Sequence, residues 1–136
     1  MTDIRPQLSQ KNPYWIERHR YYELKHFCLQ YKNWKKALRE IDGMRSKNFP
    51  DGIFSQNFSN PTIHAVELRE EYVDKIGLLE RAAKETSPIF WGYILKAVTE
   101  ELSYENLRLV YGIPCGREMW YELYRKFFYI LNHSRK

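Results

Sequence analysis

Ser103-Tyr104-Glu105-Asn106-Leu107-Arg108-Leu109-Val110-Tyr111-Gly112-Ile113-Pro114-Cys115-Gly116-Arg117 runs directly into the aromatic and basic stretch Glu118 to Leu131. Ser103 carries the short side-chain oxygen that suits a helix N-cap, and Glu105 falls near the positive end of the helix dipole. Gly112 can take the left-handed conformation that ends a helix at little steric cost, and Pro114 prevents continuation. The spacing therefore predicts a helix over Tyr104–Tyr111, a sharp turn, and a longer helix from about Gly116. Leu107 and Val110 are expected to face the core, with Ile113 plugging the crease between the helices. In the longer helix, Trp120, Tyr124 or Leu123, Phe127 and Leu131 are expected inward, leaving Arg117, Glu118, Tyr121, Glu122 and Arg125 opposite. A short helix, a glycine stop and a helix bearing arginines form a helix-turn-helix, an arrangement that presents a helix to a DNA groove.

Upstream the pattern stays helical. Residues 1–12 are polar and read as a loose arm. Asn12 as a cap and Pro13 at a first-turn position predict a helix through Tyr14 to Tyr31 with a wide apolar face, Trp15, Tyr22 and Leu29 beside Tyr21, Leu24 and Cys28. Asn33 is expected to cap a short helix, Trp34 to Ile41, that Gly43 ends. Gly43 to Asn60 is dense in turn residues, and Phe49, Ile53, Phe54 and Phe58 are expected to anchor it as a connector. Asn60 and Pro61 then announce a long helix to about Lys84, with Ile63, Val66, Val73, Ile76, Leu79 and Ala83 inward. Gly77 weakens it by about 1 kcal/mol relative to Ala. Ser87-Pro88 starts another helix, burying Phe90 or Trp91, Ile94, Leu95 and Val98. Nothing alternates like a strand. The expected fold is all-α, a small helical bundle with a C-terminal helix-turn-helix; residues 1–60 form an N-terminal helical segment and connector, and 61–136 the helical core.

Composition narrows the function. At 136 residues and 43% apolar content the chain suits one globular domain. No segment has the roughly 18 consecutive apolar residues of a membrane span, and Met1 to Pro6 lacks the apolar run of a signal peptide, so a cytoplasmic location is expected without membrane partners. Cys28 and Cys115 read as reduced thiols packed as small hydrophobes. His19 and His26 lie seven apart on one helix, but no Cys or His cluster completes a metal site, so no metal or other cofactor is expected. There is no phosphate-binding glycine loop, nucleophile elbow or spaced acid-base pair, which argues against an enzyme. Seven aromatics between Tyr14 and Trp34 would suit either a stacking platform for single strands or, by the plainer reading, the core. The net charge of +5 is uneven: residues 61–102 hold five cations against eight carboxylates, whereas 1–42 hold nine against five and 103–136 six against three. Basic ends favour a polyanion partner.

The candidate double-stranded-DNA surface is Ser103, Tyr104, Arg108, Arg117, Glu118, Tyr121, Arg125 and Lys126. Arg117, in the first turn of the last helix, has the geometry to pair with guanine O6 and N7. Arg108, Arg125 and Lys126 are placed for phosphates, and Tyr121 for a thymine methyl or a phosphate. Glu118 and Glu122 would repel the backbone unless they accept from a cytosine amine or pair with an arginine. The plainer alternative for each is a solvated or paired charge.

The stretch Ile113-Pro114-Cys115-Gly116-Arg117-x-x-Trp120-Tyr121-x-x-x-Arg125-Lys126-x-Phe128 resembles the end of the RinA/ArpU-like transcriptional regulators of phages and prophages of Gram-positive bacteria. There an Ile-Pro-x-Ser-Arg-x-x-Tyr-Tyr pattern leads into a basic helix similar to region 4 of sigma factors. Ser59-Asn60-Pro61-Thr62 before Val73 to Glu80, and the opening Asn12 to Glu17, also resemble relatives of that family. The resemblance implies a phage-encoded regulator acting on DNA in the bacterial host cytoplasm, with host RNA polymerase as a partner. Gly116 departs from the family's Ser, and Glu118 and Glu122 from its basic helix. A second reading is a small phage interaction protein that inhibits a host protein such as a defence nuclease, presenting Glu118, Glu122 and the acidic 61–102 region to a basic groove.

Overall fold

Helix formation dominates wherever the chain is placed: the computed structural model describes residues 12–47 and 59–135, and its elements are six helices. These are α1 (Arg18–Leu29), α2 (Tyr31–Lys47), α3 (Ser59–Thr86), α4 (Trp91–Glu100), α5 (Tyr104–Tyr111) and α6 (Arg117–Ser134). No strand occurs among the described residues. The arm over 1–11 and the proposed anchors Phe49, Ile53, Phe54 and Phe58 lie outside them.

Contacts divide the chain into two units, Met1–Gln30 with Leu78–Lys136, and Tyr31–Gly77. In the first unit α1 packs on α4 and α6, and α4 packs on α6. Tyr21, Leu24, Cys28, Leu79, Ile94, Leu107, Trp120, Phe127, Phe128 and Leu131 are all buried there. Each large side chain removed from water contributes about 1.5–3 kcal/mol. Aromatic edges lock the arrangement: Tyr21 meets Phe128 at 5.1 Å between centroids, and its hydroxyl pairs with that of Tyr124 at 2.8 Å. In the second unit α2 and α3 run antiparallel, as Arg69 pairs with Asp42 at 2.9 Å while the Lys75 ammonium lies 5.5 Å from the Trp34 ring.

Several boundaries differ from the expected ones for identifiable reasons. Asn12 and Pro13 do not start α1. The Asn12 side chain accepts from the Tyr14 N–H at 2.8 Å and its carbonyl from the Trp15 N–H at 3.0 Å, closing a local turn of the kind Asn-Pro favours. Glu17 caps α1 instead, accepting from the His19 and Arg20 N–H groups at 3.0 and 3.2 Å. These bonds, the His19 one first, lower the Glu17 carboxyl pKa. Gly43 does not end α2, which continues to Lys47; a penalty of about 1 kcal/mol for glycine inside a helix is too small to stop it by itself. Ile63, Val66 and Val73 are exposed rather than inward, whereas Ile76, Leu79 and Ala83 are buried. α3 meets α2 through Asp42–Arg69 and Trp34–Lys75, and one helix covers only part of such a stripe. Glu101, with φ 57°, ends α4 in the left-handed conformation.

Candidate functional site

The α5–turn–α6 segment forms as its caps predict. The Ser103 hydroxyl accepts from the Asn106 N–H at 3.2 Å, and the Asn106 side chain accepts from the Ser103 N–H at 3.3 Å, a reciprocal box that satisfies two otherwise unpaired donors. Gly112 closes α5 at φ 63°. Ile113 is buried, and its N–H donates to the Leu107 carbonyl at 3.1 Å. Tyr104 is also buried and donates its hydroxyl to the Cys115 carbonyl at 2.7 Å. Both bonds tie the turn to α5.

The expected DNA-facing residues then divide. Ser103 is a structural cap and Tyr104 belongs to the core, so neither presents a free group outward. Arg117 donates to the Glu105 carboxylate at 2.9 Å and to the Tyr121 hydroxyl at 2.8 Å. Its guanidinium also lies over the Tyr104 ring at 5.1 Å and the Tyr121 ring at 5.9 Å. Arg108 pairs with the other Glu105 oxygen, its nearest nitrogen at 3.2 Å. One carboxylate thus answers two of the arginines assigned to DNA. The hydrogen bond from Arg108, followed by that from Arg117, holds the Glu105 carboxyl below its usual range, and the Tyr121 hydroxyl followed by Glu105 raises the Arg117 pKa. Arg125 and Lys126 are half-buried and make no ion pair among the described residues. Arg125 borders a groove of about 340 Å³ whose other walls include Asn12, Pro13 and Tyr14 beside Glu118, Tyr121 and Glu122. The start of the described chain therefore lies along the face that was expected to stand open.

Two features were not anticipated. Val110, expected inward, is 67% exposed, and Leu109 is 72% exposed. Five of the eight α5 residues are large and apolar, and a helix inserted along one side buries only part of them. Tyr104 and Leu107 take the inner side. Met119, at the start of α6, is 48% exposed as well. The second feature is a cleft of about 450 Å³ among α1, α4, α5 and α6, floored by Tyr104, Trp120 and Phe128 and rimmed by Lys25, Glu101 and Glu105. Lys25 pairs with Glu101 across this rim at 3.4 Å. Glu105 and Asn106 line the cleft, and Leu109 and Val110 stand one turn further along the same side of α5.

Among the described residues no group of three His, Cys, Asp or Glu side chains is placed to hold a metal ion, and no helix is long and apolar enough to cross a membrane. Cys28 is buried and Cys115 partly so; burial raises both thiol pKa values. No protein-family model matches the chain, and no curated protein or solved structure matches it either.

Proposed function

We propose that this chain is a helical interaction module that docks on another protein through the outer side of α5, the start of α6 and the adjoining cleft. The observation that carries this reading is the pair of neighbouring exposed apolar side chains Leu109 and Val110, one turn beyond an aromatic-floored cleft. Contiguous exposed apolar surface beside a pocket is the pattern of a protein docking site: an anchor side chain fills the hollow and flanking residues exclude water. Exposed Glu118 and Glu122 supply an acidic margin, so the fitting partner is a protein with an apolar ridge bordered by cations. A host protein, such as a basic nuclease of a defence system, has this chemistry; the phage setting rests on the family resemblance of the sequence.

A photo-crosslinking residue placed at Val110 tests the reading. It should trap a discrete partner in host lysate that the same residue at Glu70, exposed on α3, traps poorly, and Leu109→Glu should abolish the trapping while leaving the circular dichroism unchanged. Equal trapping from both positions, or persistence in Leu109→Glu, rejects it.

The second reading is DNA contact by α6 in a transcriptional regulator, and the observation favouring it is the sequence of capped short helix, left-handed glycine and tight turn before an arginine. Against it, Arg117 and Arg108 are already held by Glu105. A gel shift in which Arg117→Ala and Arg125→Ala eliminate promoter binding would favour DNA over protein docking at this surface.

A further inference from the structure

The outer face of α2 carries a concentration of positive charge that neither reading uses. Lys32, Lys35, Lys36 and Arg39 recur at intervals of three and four and so share one side of the helix. All four are exposed. Tyr31 and Trp34, which flank the stripe, are buried. α2 itself carries two carboxylates, Asp42, which Arg69 engages at 2.9 Å, and Glu40, which lies one turn beyond Lys36. Lys35 stands over the Tyr31 ring at 5.4 Å, which leaves its ammonium charge intact.

We infer that this α2 ridge, Lys32, Lys35, Lys36 and Arg39, is a sequence-independent binding site for the phosphate backbone of double-stranded DNA. The ridge extends about 10 Å, at ~1.5 Å of rise per residue, which matches about three phosphates of one strand at ~3.4 Å each. Three alternative occupants fit less well. An interfacial membrane helix sets exposed large apolar residues beside its cations, whereas Tyr31 and Trp34 are withdrawn into the protein. A protein interface needs an apolar or aromatic anchor at its centre, and the exposed stripe between Lys32 and Arg39 has none. Single strands are held by stacking bases on exposed aromatic rings, which are likewise lacking among the described residues of this face. Charge without apolar or aromatic accompaniment selects the duplex backbone. The inference stands independently of protein docking at α5, and it locates DNA affinity away from α6.

The test is fluorescence anisotropy of the full chain with two labelled 20-base-pair duplexes of unrelated sequence. Both should bind with similar affinity, and affinity should fall roughly 40- to 150-fold between ~50 and ~200 mM salt, the response of three to four released counterions. Lys35→Gln/Lys36→Gln/Arg39→Gln should lower affinity at least tenfold and reduce the salt slope by about 2.7, with unchanged circular dichroism because all three residues are exposed. Arg125→Ala/Lys126→Ala, the matching change on α6, should leave affinity unaltered. Full binding by the α2 variant, loss of binding in the α6 variant instead, a strong preference for one duplex sequence, or tighter binding to single strands or anionic phosphatidylserine vesicles overturns the inference. So does absence of duplex binding by the unaltered chain at low salt. Should the glutamine variant misfold, Lys36→Glu/Arg39→Glu replaces it, and the same outcomes decide.

Discussion

Two basic helices of this chain use their charge in opposite ways. On α6 and its neighbour α5, Arg117 and Arg108 converge on Glu105, and Arg117 is also clamped by Tyr104 and Tyr121. On α2, Lys35, Lys36 and Arg39 stand exposed along one face, and the engaged carboxylate beside them, Asp42, is directed to α3. Counting basic residues ranks the C-terminal segment as a fitting partner for a polyanion; its Arg108 and Arg117 are held by one carboxylate, whereas Lys35, Lys36 and Arg39 make no ion pair among the described residues. Coulomb attraction to a distant phosphate weakens when a carboxylate lies within 3 Å of the same guanidinium, so pairing decides how much of a charge a ligand meets.

The largest test of the contrast acts from below. Trp120 is 2% exposed beneath the charged side of α6, and Trp120→Ala should cost about 3–5 kcal/mol in urea unfolding. Lys36→Ala/Arg39→Ala on α2 should stay within about 0.5 kcal/mol. Comparable losses from both would mean that the α2 ridge is part of the packing and not a surface held for a ligand.

Two glycines offer a smaller test with opposite signs. A Cβ at Gly43 or Gly112 meets no atom within 4 Å, yet Gly112 has φ 63° whereas Gly43 lies inside α2. Gly112→Ala should destabilise by about 1–2 kcal/mol through left-handed strain. Gly43→Ala should stabilise by about 0.5–1 kcal/mol, because alanine loses less backbone freedom on entering a helix. Thermal melts of both variants check the signs, and destabilisation by Gly43→Ala would show that α2 departs from regular helix there.

Legibility followed the range of the interaction. The α5–turn–α6 segment was readable because Ser103, Gly112 and Pro114 act within a few residues of themselves. The start of α1 was misread because Asn12 has two local uses, helix cap and turn closure, and residue identity does not choose between them. The inward set of α3 failed at Ile63, Val66 and Val73, since periodicity gives the direction of a stripe but not how far a neighbour covers it. Exposure at Val110 did leave a trace, because five large apolar residues in an eight-residue helix exceed what one buried side accommodates. The Glu105–Arg117 pair left none: twelve residues and a turn separate them, and only the folded crossing brings them to 2.9 Å.

That pair supplies the subtlest test, since it alone makes the α5–α6 surface differ in kind from α2. The Glu105 carboxyl is lowered by Arg108 first and Arg117 second, so its folded pKa lies under its unfolded one. The linkage sign follows: the stabilisation is complete above the ordinary carboxylate range and is lost as pH falls through the depressed folded value. Exposure and solvent screening keep it small. Carbon-detected NMR titration of the Glu105 carboxyl should give a midpoint below 4.5, the ordinary value. Arg108→Ala should move it upward more than Arg117→Ala does. Glu105→Gln removes the anion that holds both guanidinium groups while keeping the side chain's size, and it should turn α5 and α6 into a surface resembling α2. Duplex affinity should then rise several-fold, and the added part should be lost with Arg117→Ala in the same background. No rise would mean that the tyrosine rings alone keep Arg117 from phosphate, and the contrast between the helices would rest on stacking instead of charge pairing.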